Sequence, residues 1–218
     1  MEQDNSYKGP FPVLELAGTE FYINGYELAL IQVGQPENRI DMMEMLVLDD
    51  HVELWYDAET KKAYDGPADQ MPGTVELYWL YPLAAMDPLG KTAWLDENRP
   101  GWEADYVTDL PVISIAGKDF FVDDRRNGFR DTKNNWNMIA FTDVTMVDQK
   151  TGIYIDKRVT QVPFPHEFDS YNPPDTLPGH IVFAEVPDGR QLAQLLLEHQ
   201  SRKENPDNVP ILHDRIGR

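Results

Sequence analysis

The segment Pro12-Val13-Leu14-Glu15-Leu16-Ala17-Gly18-Thr19-Glu20-Phe21-Tyr22-Ile23-Asn24 returns 99 residues later as Pro111-Val112-Ile113-Ser114-Ile115-Ala116-Gly117-Lys118-Asp119-Phe120-Phe121-Val122-Asp123. Five positions are identical and most others keep their class. The same offset carries Asn38 to Asn137 and Ile40 to Ile139. Whatever this chain folds into must therefore hold two versions of one local structure. Val13, Leu14 and Leu16 form a short strand that breaks at Ala17-Gly18, and Thr19 to Tyr26 resumes with aromatic and β-branched positions. Gly18 and Gly117 stand where a tight turn needs a residue of positive φ, so each copy is expected to open with a hairpin. Leu28, Leu30, Ile31 and Val33 supply the next apolar segment, which ends at Gly34 and Pro36. Ile40 to Leu48 is a further strand candidate.

Val52 to Tyr56 and Lys61 to Tyr64 flank an Asp57-initiated turn, and in the second copy Asp148-Gln149-Lys150-Thr151-Gly152 lies between two apolar runs. Matching the two turns changes the offset from 99 to 91 and implies that copy two lacks eight residues ahead of this hairpin. An ungapped alignment pairs Asp57 with Asp156 and Trp55 with Tyr154, but it sets the glycine-containing turn against a strand. Turn chemistry favours the first alignment. Each copy then opens a strand after a Pro-Gly turn (Pro72-Gly73, Pro178-Gly179) and proceeds to a helix start. Asp87-Pro88 offers an N-cap followed by proline, and Asp188 with Gln191 has capping-box spacing. Leu192, Leu195, Leu196 and His199 recur at helical spacing, and Arg202 and Lys203 suit the last turn.

The expected fold is α+β: an internal duplication of a β-rich unit of antiparallel strands and hairpins, each unit ending in one helix. Residues 1–100 form the first unit. Residues 101–218 form the second, with a proline-rich loop at 163–178, a helix over about 188–203 and a tail at 204–218. Residues 97–109, around Pro100-Gly101, read as the linker.

The 218 residues are enough for a substantial core, and 41% hydrophobic with 26% charged residues describes a globular chain. Cysteine is absent, which removes disulfides, thiolate metal sites and a cysteine nucleophile. The polar, acidic residues 1–6 lack the basic and apolar regions of a signal peptide, and the longest apolar run, 77–86, is half a membrane span and contains Pro82. A cytoplasmic location is expected. The net charge of −19 is concentrated early: residues 1–100 hold 19 acids and 6 bases, whereas 101–218 hold 19 acids and 13 bases. Such a field repels nucleic acid and anionic membrane and attracts basic partners, besides favouring solubility.

Several patterns invite a chemical reading. Ala85-Met86-Asp87-Pro88-Leu89-Gly90-Lys91-Thr92 approximates a phosphate-binding loop behind a strand, but Asp87 brings negative charge and Pro88 removes an amide, so a capped short helix is the preferred reading. His166, Glu167 and Asp169 share the proline-rich loop without a second histidine at ligand spacing. Trp55-Tyr56 and Tyr78-Trp79-Tyr81 fill a sheet face, with a sugar or peptide groove as the alternative. The sequence assigns no catalytic, cofactor-binding or metal-ligating residue. Asp49, Asp50 and Glu53 mark an acidic interaction surface. Arg125, Arg126 and Arg130 stand where unit one has Tyr26, Glu27 and Ile31, a second place for contact or for intramolecular pairing. The leading expectation is a non-enzymatic interaction protein that presents its acidic surface to a basic protein partner, most specifically as an inhibitor that mimics nucleic acid. A ligand-binding protein or enzyme using an inter-unit cleft or the 163–178 loop competes with it, as does a structural subunit of a larger assembly.

Overall fold

A computed structural model describes residues 7–48 and 51–204. The chain divides into two compact units: Met1–Tyr106 with Lys133–Asn137, and Val107–Thr132 with Met138–Arg218.

In unit one, β1 (Val13–Leu16), β2 (Thr19–Asn24), β3 (Ala29–Gln32) and β4 (Arg39–Asp41) pair in sequence order as an antiparallel sheet. Ala17 and Gly18, with φ of 44° and 76°, make the two-residue turn that the right-handed strand twist requires between β1 and β2. A second sheet is built on β6 (Val52–Asp57), which pairs with β5 (Leu46–Val47), β7 (Lys62–Ala63) and β8 (Val75–Leu80). Alternation sends Leu16, Phe21, Ile23, Leu30 and Ile40 from the first sheet, and Val52, Leu54, Tyr56 and Leu80 from the second, into one buried cluster. Each such side chain contributes about 1.5–3 kcal/mol when fully buried. The strand expected over 40–48 is interrupted by a 3₁₀ turn at Met42–Glu44, where the Glu44 carboxylate accepts from the Asp41 amide.

Unit two follows the same plan. β9 (Val112–Ile115), β10 (Lys118–Asp123), β11 (Gly128–Asp131) and β12 (Met138–Ala140) form one sheet, and β13 (Thr145–Val147), β14 (Lys150–Asp156) and β15 (Ile181–Glu185) the other. The registers of the two units agree at the 99-residue offset. Leu14 faces Phe21 as Ile113 faces Phe120; Ile23 faces Leu30 as Val122 faces Phe129; Leu30 faces Ile40 as Phe129 faces Ile139.

The offset persists beyond the first sheet, which corrects the turn-matched alignment. Leu46 faces Glu53 as Thr145 faces Gly152, so no eight residues are missing. The corresponding turn of unit two is Asp148-Gln149, with φ of 48° and 65°, and Gly152 lies inside β14 opposite Glu185. A Cβ on Gly152 would meet the Ala184 carbonyl at 2.6 Å and run into the Phe183 ring. That glycine admits an aromatic neighbour rather than turning the chain. The true counterpart of the Asp57 turn begins at Asp156: Lys61 donates to the Asp57 carbonyl, and Thr160 to that of Asp156. Only afterwards does the offset grow. Asp57 faces Val75 while Asp156 faces Ile181, which places seven extra residues in the connection that contains the proline-rich loop.

The helices differ between the units. Unit one carries two, α1 (Leu83–Met86) and α2 (Pro88–Asn98), where one was expected. Unit two carries α3 (Gly189–Glu204), opened by reciprocal bonds between Asp188 and Gln191 and packed on the core through Leu192, Leu195 and Leu196. Residues 97–109 are not bare linker: the 3₁₀ turn Trp102–Asp105 buries Trp102, whose ring stacks with Trp136 of the same unit. Among the described residues no helix is long and apolar enough to cross a membrane. The tail from residue 205 onward lies outside the described residues.

Candidate functional site

Asp49 and Asp50 lie outside the described residues. Glu53, on β6, is partly exposed on the second sheet of unit one, with one carboxylate oxygen 3.5 Å from His51 Nε2. The His51 ring stacks on Trp79 at 4.1 Å, so the acid stands at the edge of an aromatic platform.

Strand alternation sorts the aromatic residues around it. Tyr56 and Tyr78 point inward and meet edge to face at 6.0 Å. Trp55 and Leu77 are cross-strand partners on the opposite face, as are Glu53 and Trp79, and Leu46 completes the Glu53 row. This outer face is open: Leu46 is 56% exposed, Trp55 41% and Leu77 37%. Tyr64, whose amide donates to the Trp55 carbonyl, borders it. Unit two covers its matching face. Tyr154 faces Phe183 there, but Tyr154 is only 4% exposed, because Phe168 from the proline-rich connection packs 4.9 Å from its ring and Leu177 joins the same cluster. The inserted loop is thus a cover for its own sheet. Its polar residues have local partners as well: His166 stacks on Phe164, and the Asp169 carboxylate accepts from the Tyr171 and Asn172 amides.

The arginines separate. Arg125 and Arg126 lie in the exposed 3₁₀ turn Asp124–Arg126. Arg130 is fully buried and is not a surface residue. Its Nε donates to Asp123 Oδ2 at 2.9 Å, its Nη2 donates to the Val107 carbonyl, and its guanidinium lies 4.8 Å over the ring of Phe121, its cross-strand partner. A buried guanidinium is tolerable only with such a set of partners. Unit one holds Ile31 and Asn24 at the two matching positions, and Asn24 accepts from the Tyr26 and Glu27 amides instead. The paired change, apolar to basic and amide to carboxylate at sites seven residues apart, was the signal in the sequence that these residues pair within unit two.

The phosphate-loop resemblance resolves into a cap. The buried Asp87 carboxylate accepts from Gly90 N at 3.1 Å at the start of α2 and from Gly25 N at 2.8 Å, so the chain's own anion sits at that helix start. Lys91 turns back over the Trp94 ring, 4.1 Å from its centroid, and burial lowers its pKa.

An open cavity of about 350 Å³ in unit one is lined by Glu15, Gly18, Thr19, Glu20, Gln32, Val33 and Lys61. Glu15 and Glu20 stand directly opposite on β1 and β2, both exposed. Pairing a strand's residues around the Ala17-Gly18 turn would have found them. The chain matches no protein-family model, no curated protein and no solved structure.

Proposed function

We propose that this chain is a cytoplasmic, non-enzymatic interaction protein whose unit one offers an acidic surface to a basic protein partner, on a scaffold that arose by internal duplication. The common register of the two units supports the duplication. The observation that carries the interaction is the opposed pair Glu15 and Glu20. Like charges directly opposite on a sheet cost a few tenths of a kcal/mol or more, and the cost disappears when a cation lies between them. The matching pair of unit two is Ser114 and Asp119, so the fold itself does not call for two glutamates there. The excess of acids over bases in residues 1–100 extends the field around them.

The test is titration of the chain with a lysine- and arginine-rich peptide at 0.05 and 0.5 M salt. Binding that weakens at least tenfold at the higher salt, and again in Glu15→Gln/Glu20→Gln, is expected. Affinity that ignores both salt and the double substitution overturns the reading.

A further inference from the structure

We propose that the outer face of β6 and β8 in unit one, centred on Trp55 and Leu77, docks an extended segment of a partner protein: an aromatic residue flanked by prolines, with a basic side chain placed for Glu53. The inference belongs with the partner-binding reading above and deepens it, but it stands on a different observation.

The two units present the same sheet face in two conditions. In unit two the connection from β14 to β15 is seven residues longer than its counterpart from β6 to β8, and it lays Phe168 and Leu177 across Tyr154, Phe183 and Ile181. Phe168 is left 5% exposed by this packing. In unit one the connection is shorter, and Trp55 with its cross-strand partner Leu77 stands exposed on the outer face, as does Leu46 beside Glu53. Isolated exposed apolar residues are ordinary, whereas neighbouring ones on a flat strand surface mark contact sites. The chain thus contains, in its second half, an example of the ligand that this face accepts: an irregular proline-rich strip that lays one of its aromatic rings, Phe168, on the sheet.

Charge fixes the remaining chemistry. At the place where unit two has Gly152, unit one has Glu53, and Glu53 shares the outer face with Trp55. The strip of unit two carries acids, Glu167 and Asp169, on either side of Phe168. Beside Glu53 those positions call for lysine or arginine.

The experiment uses the full chain and a synthetic peptide copying residues 162–178 with the changes E167K and D169K, titrated by calorimetry. Saturable binding is expected, at least tenfold weaker in Trp55→Ala and several-fold weaker with less salt dependence in Glu53→Gln. The unaltered acidic peptide is expected to bind less tightly than the lysine form. Leu77→Lys, at an exposed position, serves as the second variant should Trp55→Ala lose the native circular dichroism. No binding at millimolar lysine peptide, or affinity unchanged in both Trp55→Ala and Leu77→Lys, overturns the docking face. Glu15→Gln/Glu20→Gln leaves this peptide's affinity intact if docking is correct. Failure at Trp55 therefore leaves the charge-based reading standing, and failure at Glu15 and Glu20 leaves the docking face standing.

Discussion

At the scale of single residues, Arg130 and Asp123 form a buried ion pair whose two members depend on each other. Removing one member of a buried pair typically costs about 3–5 kcal/mol, because the other charge is left desolvated, whereas replacing both by apolar or neutral groups of similar size is often nearly neutral. Asp123→Asn alone is therefore expected to lower stability by about 3 kcal/mol in urea unfolding. Asp123→Asn/Arg130→Met is expected to recover most of that loss, since methionine is long enough to lie over Phe121 as Arg130 does, and asparagine keeps an acceptor for the Arg126 amide, as Asn24 does for that of Glu27. A double variant no more stable than Asp123→Asn contradicts this account.

At the scale of elements, the two turns that follow β6 and β14 are closed by matching aspartates. Asp57 accepts from the Glu59 amide and the Thr60 hydroxyl; hydrogen bonds from the Thr74 hydroxyl first, and then from Thr60, hold its pKa below the ordinary aspartate value. Asp156 is buried, which pushes its pKa up, but hydrogen bonds and charge from Arg158 outweigh burial and leave it lowered. A carboxyl whose pKa is lower folded than unfolded adds stability above its unfolded pKa of about 3.9, and that stability drains away as pH falls through the folded value. The urea midpoint of the protein is expected to fall as pH drops below about 4. Asp57→Asn/Asp156→Asn is expected to start from a lower midpoint at pH 6 and to decline less steeply in the acid range. Parallel curves for parent and variant would remove these two turns from the acid response.

At the scale of the whole molecule, a net charge of −19 means that folding gathers like charges. Self-repulsion of this kind weakens as added salt shortens the screening length from about 30 Å at 0.01 M to about 10 Å at 0.1 M. The Tm is expected to rise by several degrees between 0.01 and 0.5 M sodium chloride, followed by circular dichroism, and to rise less in Glu15→Gln/Glu20→Gln. A Tm insensitive to salt contradicts the picture of an acidic surface held together against its own field.

Much of the scaffold is legible in the amino-acid sequence. The opening hairpins, the Asp188–Gln191 box and the bond from the Gly90 amide to Asp87 depend on contacts within a few residues, and local sequence carries local contacts. The second sheets are harder to align from sequence for the same reason: a glycine near an aspartate resembles a turn, and only its cross-strand neighbours, Glu185 and the Phe183 ring, reveal Gly152 as a packing position. The candidate sites divide likewise. Net charge along the chain singles out unit one, and the paired change at positions 123 and 130 marks a partnership, but the burial of Arg130 comes from the pairing of β10 with β11, which sets it over Phe121. Short-range chemistry in the chain sets the opening hairpins and the helix caps, whereas the break in the 40–48 strand and the place of the Asp148-Gln149 turn depend on cross-strand neighbours. Long-range packing sets which sheet face Phe168 covers and which leaves Trp55 open, because covering a face joins residues that sequence separation does not order.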